Sequence, residues 1–255
     1  DDRAAQMAGF ALMMKARADD RRLLESPIKL NVLSLQESKG LELDEFDSHL
    51  KPFGISRALF ASLIDTFAHA KTFGSLIQIP EALDNGVGAL ADGLGKAIQS
   101  GDVFAQAAAQ DLLPLVGQAA VLAMKFDAVV ANPPYMGAKY YCQSLSRLIN
   151  QNYENASADI YACFMLACLR LSKASGLVTN INIPGWMMNS TFEPFRHKLF
   201  GQSAIVSLIH NGRGVFGSDF GSCAFTLINQ PITELKGRYQ RLFDDPATVQ
   251  PNDVL

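Results

Sequence analysis

The chain has 255 residues, of which 49% are hydrophobic and 18% are charged, and its formal net charge is −3. This composition excludes a disordered chain, and the length allows one large α/β domain or two small ones with a sizeable core. The mild acidity argues against a protein that binds nucleic acid through net charge alone, but it is compatible with a basic cleft on an acidic body.

The cysteines and histidines give no sign of a metal site. None of the four cysteines forms a CxxC pair, and the four histidines are scattered singly. We therefore expect no metal and no disulfide framework, as is usual in a reducing cytoplasm. The longest near-apolar run, residues 112–124, is too short to span a bilayer and contains Gln118, so we also expect no membrane partner.

The N-terminal part of the chain is predicted to hold one helix and one strand. Met7, Phe10 and Met14 recur at helical spacing within residues 2–18, which predicts an amphipathic helix with these three side chains in the core. An apolar stretch at 30–35, shortly after a proline, predicts a strand.

Residues 40–125 are predicted to be mainly helical. Apolar side chains recur at helical spacing in two stretches, 59–70 and 112–124. Four glycines lie between these stretches, and we expect them to interrupt the helical pattern. They are Gly86, Gly88, Gly93 and Gly95.

The C-terminal half alternates between strand and helix patterns. Residues 126–131 (FDAVVA) form a continuous apolar run, which is typical of a strand buried on both faces of a parallel sheet. A helix is predicted from about residue 158, with Ser157 as its N-cap and Gly176 as the signal for its end. Then follow a strand at 177–183, a helix at 193–200, and strands at 204–209 and 223–229 that are close enough to form a hairpin. The fold class is therefore α/β.

The most informative segment is Asn132-Pro133-Pro134-Tyr135, which follows the FDAVVA strand directly. In an open parallel sheet, ligands bind at the carboxyl ends of the strands. Two prolines fix the backbone and remove two N–H donors, which leaves carbonyl acceptors, and Asn132 adds a further acceptor. The loop can thus accept both protons of an amino group, while Tyr135 offers a flat surface for stacking.

This arrangement suits the methylation of an aromatic amino group. The exocyclic N6 of adenine is a poor nucleophile because its lone pair is delocalised into the ring. Two acceptors that hold its protons out of the ring plane favour a pyramidal nitrogen, which can attack the methyl group of a sulfonium without a metal. The adenine must first leave the duplex, and a stacking aromatic residue stabilises a flipped base. A loop with a purely structural role is the alternative interpretation.

FDAVVANPPY resembles the catalytic motif of amino-group methyltransferases that use S-adenosylmethionine, chiefly the adenine-N6 DNA methyltransferases. Longer stretches resemble more specifically the PglX-type methyltransferases of BREX phage-defence systems, with type IIG restriction–modification enzymes as more distant relatives. These stretches are VVANPPYMGAKYY, SADIYACFMLACLRL, GLVTNINIPGWMMNSTFEPFRHKLF and IVSLIHNGRGVFGSDFGSCAFTLIN. The opening DDRAAQMAGFALMMKAR resembles the helix that follows the second strand in that family.

The resemblance implies roles for the four residues of the loop. Asn132 and the carbonyl of Pro133 hold the adenine amine, Pro134 fixes the turn, and Tyr135 stacks on the base. It also implies S-adenosyl-L-methionine as the cofactor.

The same resemblance suggests cofactor contacts near the N-terminus. Gln36 and Glu37, which follow the stretch at 30–35, are candidate contacts of the cofactor's adenine, with a structural turn as an equal alternative. Asp2 is a candidate for the acid that binds the ribose hydroxyls.

The implied fold is a Rossmann-like S-adenosylmethionine-dependent methyltransferase fold. No glycine-rich turn follows a strand in the right context, so we expect the chain to begin after the second strand, without the first strands and the cofactor loop. The expected organisation is a partial cofactor-binding half at 1–39, a helical insertion at 40–125, the catalytic half at 126–230, and a following segment or tail at 231–255.

Four other features are weaker candidates. Residues 212–217 match GxGxxG, but a predicted strand follows them, which favours a hairpin loop at the catalytic edge over a phosphate loop. Residues 86–88 lie too far from an apolar strand for that role. Trp186 is a candidate wall of the target pocket, with core packing as the alternative. Residues 196–198 (RHK) are a candidate contact for a DNA backbone, with a solvated surface as the alternative.

The leading hypothesis is therefore part of an adenine-N6 DNA methyltransferase for phage defence or restriction–modification, with double-stranded DNA and other phage-defence subunits as partners. A protein-glutamine methyltransferase, which shares the loop, is the first alternative, although the helical insertion disfavours it. A truncated remnant that binds DNA or acts as a scaffold without catalysis is the second.

Overall fold

A computed structural model describes residues 2–25, 30–215 and 220–245. The chain divides into two compact units, Asp1–Ala123 (unit 1) and Met124–Leu255 (unit 2). Unit 1 is helical, and unit 2 holds a β-sheet with helices. Within these described ranges, every helix falls short of the length and apolar character needed to cross a membrane.

Unit 1 is built from helices around one apolar core, which confirms the helical pattern predicted for this stretch. Side chains of α2, α3, α5 and α6 form the core, among them Leu50, Leu63, Leu90 and Leu112. The helices are α1 Asp2–Asp19, α2 Leu43–Leu50, α3 Arg57–Phe67, α4 Ala70–Phe73, α5 Glu81–Gln99 and α6 Val103–Ala123.

The expectation that glycines interrupt this region is wrong, because α5 runs without a break through all four of them. A Cβ at Gly86 would come within 2.6 Å of Leu59 Cδ1, and one at Gly93 within 2.7 Å of Ile55 Cγ1. Gly86 and Gly93 thus let α5 pack closely against Leu59 and Ile55, whereas the other two glycines face open space. Since residues 86–88 lie inside a helix, they do not form a phosphate loop.

The helix predicted at 2–18 is confirmed as α1, but its apolar side chains are not in the core. Met7, Phe10 and Met14 are 73%, 68% and 53% exposed. The core cluster of unit 1 draws on the later helices, which pack against one another. The apolar stripe of α1 is therefore a surface feature of this unit.

The strand predicted at 30–35 is also wrong, since these residues are irregular. The backbone of Gln36, directly after this stretch, forms hydrogen bonds with a side chain and not with a neighbouring strand. The N–H of Gln36 donates to Oε1 of Gln118, and Nε2 of Gln118 donates to the carbonyl of Gln36, each at 2.8 Å. Because Gln118 lies fully buried on α6, one amide side chain takes the place of a neighbouring strand.

Unit 2 contains a mixed five-stranded sheet in the order β1-β2-β4-β3-β5. β1 and β2 are parallel, β4 is antiparallel to both β2 and β3, and β5 is parallel to β3. The elements are β1 Phe126–Ala131, α7 Gln143–Asn152, α8 Ile160–Leu171, β2 Ser172–Asn182, α9 Gly185–Met188, α10 Glu193–Phe200, β3 Ala204–Gly212, β4 Ser222–Ile228 and β5 Arg238–Arg241. The α/β class, the helix at 193–200 and the β3–β4 hairpin are confirmed.

β1 is a strand as predicted, but it is not buried on both faces. It stands at one end of the strand order, and its Val130 side chain is 77% exposed. The apolar run FDAVVA thus predicts the strand correctly, but it does not reveal that the strand lies at one end of the sheet.

Two predicted limits of α8 need correction. Its N-cap is Asp159, not Ser157, because the extended backbone of Asp159 lets its carboxylate accept the N–H of Tyr161. Gly176 lies inside β2 and does not end the helix. A Cβ at this glycine would clash with the Ser172 side chain and the backbone around it, so close packing explains the residue.

Candidate functional site

Residues 132–135 follow β1 directly and lie at the carboxyl end of the parallel pair β1 and β2, where Ala131 is opposite Asn180. Pro133 is buried, whereas Asn132 is exposed and the side chain of Tyr135 is 47% exposed. Pro133 therefore packs into the protein, while the amide of Asn132 and the ring of Tyr135 remain accessible.

Asn132 and Tyr135 line a common cavity of about 430 Å³. This volume lies within the usual range for small-molecule sites. Most of the remaining lining is apolar and comes from the end of β2 and from the connection between β3 and β4: Ile181, Ile183, Val215, Phe220, Gly221 and Ser222. The structure thus brings the predicted acceptor and the predicted stacking residue together at one pocket.

The hairpin interpretation of the GxGxxG sequence agrees with the described part of that segment. It connects β3 to β4, and its residue Val215 reaches the cavity. Gly212 and Gly214 have φ of +82° and +89°, values that favour glycine. Residues 216–219 lie outside the described part of the chain.

Tyr135 also contacts its neighbours in the loop. Its hydroxyl donates to Oδ1 of Asn132 at 3.4 Å, which is a long and therefore weak hydrogen bond. Burial raises the pKa of Tyr135 above its usual value, and since a tyrosine hydroxyl is already protonated at neutral pH, it is a donor here. An amine that entered the cavity would replace this weak donor at Asn132.

Backbone and carboxylate bonds hold the residues just after the loop. The N–H of Met136 donates to Oδ1 of Asp159 at 3.0 Å, and the carbonyl of Met136 accepts the N–H of Ile160 at 3.0 Å. Gly137 and Asp159 also form an isolated antiparallel bridge. The start of α8 therefore clamps the chain that leaves the loop.

Two buried asparagines on β2 support the same region. Nδ2 of Asn180 donates to the carbonyl of Ala131 at 3.3 Å, immediately before the loop. Oδ1 of Asn182 accepts the indole N–H of Trp186 at 3.1 Å and the thiol of Cys223 at 3.4 Å. Trp186 is 1% exposed, so it packs in the core and does not wall the pocket.

The sequence interpretation missed Asp159, Asn180 and Asn182. The signal for the two asparagines is a pair of amides at alternate positions of the strand predicted at 177–183, since most buried polar groups are hydrogen-bonded. The signal for Asp159 is an acidic N-cap directly before an apolar helix.

The candidate cofactor contacts all belong to unit 1, and two of them are brought together. Oδ1 of Asp2 accepts the Ser34 hydroxyl and Nε2 of Gln36, each at 2.7 Å. Hydrogen bonds, first from Ser34 and then from Gln36, hold the pKa of Asp2 below its usual value. Glu37, the next residue, is partly buried.

The stretch 196–198, a candidate contact for a DNA backbone, lies on α10 and stays a prediction. Nη1 of Arg196 donates to the carbonyls of Trp186 and Asn189 at 2.9 and 2.8 Å, so this arginine braces a turn. Nε2 of His197 lies 3.9 Å from Oε1 of Glu193, and both side chains are exposed on α10. Among the described residues, no three histidine, cysteine or acidic side chains lie together in a way that could hold a metal ion.

Comparisons with known proteins identify relatives of this chain. It is 34% identical, over its whole length, to the adenine-specific methyltransferase BrxX of Escherichia coli O9:H4 (strain HS), and 27% identical, over 96% of its length, to the adenine-specific methyltransferase PglX of Lacticaseibacillus casei (strain Zhang). The matches cover 23% and 21% of those two proteins, so the chain spans less than a quarter of either relative.

A crystal structure of a candidate class I S-adenosylmethionine-dependent methyltransferase from Listeria monocytogenes aligns with 88% of this chain and 71% of its own, at 14% identity and a TM-score of 0.38. That likeness is too low to carry an argument about fold or function.

The family comparison is decisive because of its coverage. The model of the Eco57I restriction-modification methylase family matches residues 1–216. This range includes the loop 132–135, Asp159 and the candidate cofactor contacts. The chain therefore belongs to the Eco57I restriction-modification methylase family.

Proposed function

We propose that this chain forms part of a DNA methyltransferase that transfers a methyl group from S-adenosylmethionine to N6 of a flipped-out adenine. The observation that carries the proposal is the pairing of Asn132 and Tyr135 at one cavity, at the carboxyl end of β1. Membership of a restriction-modification methylase family and two relatives named as adenine-specific methyltransferases support it.

In the proposed reaction, the loop prepares the amine. Oδ1 of Asn132 and the carbonyl of Pro133 accept the two N–H groups of adenine N6 and hold them out of the ring plane. S-adenosylmethionine supplies an electrophilic methyl group on a positively charged sulfur. The nitrogen lone pair forms the new N–C bond, the C–S electron pair stays with sulfur, and the extra proton on nitrogen leaves to solvent. The contribution of the protein is positioning and polarisation.

The volume and the lining of the cavity are compatible with a single base. Tyr135 presents its ring for stacking, which is worth about 1–3 kcal/mol per base. Ile181 and Val215 contribute apolar side chains to the lining of the cavity, and an apolar lining is typical of sites that bind aromatic ligands. The substrate partner in this proposal is double-stranded DNA, from which the base is extruded.

The cofactor contacts are the second part of the proposal. One oxygen of the Asp2 carboxylate already accepts two donors, and the other lies 3.8 Å from Lys71 Nζ. We assign Asp2 to the ribose hydroxyls of S-adenosylmethionine, and Gln36 and Glu37 to its adenine. Asp2→Asn should then raise the Kd for S-adenosylmethionine in the intact protein about tenfold by calorimetry, since the hydrogen bond lost is charge-assisted. An unchanged Kd would contradict this assignment.

The domain organisation follows from the same proposal. Residues 1–39 form part of the cofactor-binding half, 40–125 form a helical insertion, 126–230 form the catalytic half, and 231–255 form the start of a following segment or a tail. The division of the chain between Ala123 and Met124 supports a boundary near residue 125. Because the sequence also resembles the methyltransferases of BREX phage-defence systems, we propose a role in phage defence, with other subunits of such a system as partners.

The proposal is tested with tritiated S-adenosylmethionine and the intact protein. Unmethylated plasmid DNA and a glutamine-rich protein are offered in parallel, and label is expected in DNA alone. Label that appears in the protein substrate alone would support the glutamine methyltransferase instead. Calorimetry with S-adenosylmethionine separates both from a non-catalytic remnant, which would bind DNA without binding the cofactor.

A further inference from the structure

We infer that Asp159 is a positioning residue for the loop 132–135, an inference that rests on the proposed function. Its Oδ1 accepts two backbone N–H groups, from Met136 at 3.0 Å and from Tyr161 at 3.3 Å. Met136 follows Tyr135 directly, so the first bond fixes the chain next to the stacking ring. The second bond caps α8.

The capped helix also supports the ring of Tyr135. The ring of Tyr161 meets that of Tyr135 edge to face, with 6.2 Å between their centroids. Tyr161 is itself fully buried and stacks on Phe192 at 5.6 Å, so it is a rigid support. One carboxylate therefore orients Tyr135 by two routes, through the backbone of Met136 and through Tyr161.

Other bonds around Asp159 do not need its carboxylate. The N–H of Ile160 donates to the carbonyl of Met136 at 3.0 Å, and the N–H of Ala138 donates to the carbonyl of Ala158 at 3.3 Å. These backbone bonds keep the loop near α8 when the side chain is changed. The expected consequence of losing the carboxylate is a small displacement of Met136 and Tyr135.

A small displacement matters because the reaction depends on geometry. The stacked base must hold its amine against Asn132, and a misplacement of about 1 Å can cost roughly 100-fold in rate. Asp159 acts through the loop, and so its loss should lower kcat without weakening the binding of S-adenosylmethionine.

The test uses two substitutions that differ in reach. Asp159→Asn keeps an acceptor of the same length, and it should retain kcat within about threefold because neutral acceptors still bond both N–H groups. Asp159→Ser keeps a good helix cap, but its shorter side chain does not reach Met136. It should lower kcat about 10- to 100-fold, with the Kd for S-adenosylmethionine and the Tm close to wild type. Glu154→Ala, an exposed acid on the same connection, is the matched control and should change none of these values.

Two other kinetic outcomes overturn the inference. A wild-type kcat in Asp159→Ser would show that Asp159 only caps α8. Equal losses of kcat, cofactor binding and Tm, without rescue by Asp159→Asn, would show a general structural role. If the wild-type protein methylates no adenine, the proposed function fails, and the inference is then judged from a crystal structure of Asp159→Ser. An unchanged position of residues 135–136 in that structure would contradict it.

Discussion

Two segments that the sequence marks as functional are held in different ways. The loop at 132–135 is fixed from outside, by Asp159 after it and by Asn180 before it, and its Asn132 and Tyr135 face a cavity. The segment around Gln36 has its backbone paired with Gln118 and its side chain bonded to Asp2. The side chains of Asn132 and Tyr135 thus stay accessible at a cavity, whereas Asp2 and Gln36 are bonded to each other and would have to exchange this bond for contacts to a ligand.

The largest effect is expected from the acceptor of the loop. Asn132→Ala in the intact protein should lower kcat for DNA methylation about 100- to 1,000-fold, the usual cost of removing one group that stabilises a transition state. The Kd for S-adenosylmethionine should not change. Asn150→Ala, an exposed amide on α7, serves as the control. Equal activity of the two variants would remove Asn132 from the reaction.

Tyr135 separates stacking from hydrogen bonding within the same loop. Tyr135→Ala should lower kcat/KM about 10- to 100-fold, because base stacking is worth about 1–3 kcal/mol. Tyr135→Phe keeps the ring and loses only the 3.4 Å bond to Asn132, so it should stay close to wild type. If Tyr135→Phe lowered kcat/KM as much as Tyr135→Ala does, the hydroxyl and not the ring would be required.

Gln118 tests how the other segment is held. Gln118→Leu leaves the N–H and carbonyl of Gln36 without this partner, which should cost about 1–3 kcal/mol in the free energy of unfolding. Gln110→Leu, at an exposed position of the same helix, should stay within about 0.5 kcal/mol of wild type. Urea unfolding measures both. Equal free energies of unfolding for the two variants would contradict the claim that Gln118 stabilises the segment around Gln36.

The smallest effects concern the glycines of α5, and they have opposite signs. Gly86→Ala places a methyl group against the side chain of Leu59, which must shift, and should destabilise unit 1 by up to about 1 kcal/mol. Gly88→Ala faces open space and should stabilise the helix by up to about 1 kcal/mol. Thermal unfolding distinguishes them, and stabilisation by both would mean that α5 has room to move away from α3.

The comparison also shows which features the sequence could predict. FDAVVA and the loop after it were located correctly because a short apolar run and two prolines act locally. The exposure of Val130 and of the α1 stripe was not predictable, since periodicity does not reveal which faces another element covers. The glycines of α5 were misjudged for the same reason, and no local pattern marks Gln118 as the partner of Gln36. Their roles depend on partners such as Leu59 and Gln36, which lie far from them in the sequence.

The measurement that tests the central claim most directly is nucleoside analysis of the methylated product. Unmethylated DNA is incubated with the intact protein and S-adenosylmethionine, digested to nucleosides and analysed by mass spectrometry. Our account predicts N6-methyl-2′-deoxyadenosine in the wild-type reaction and its loss with Asn132→Ala. A methyl group on the amine of cytosine, or no methylated nucleoside at all in the wild-type reaction, would contradict it.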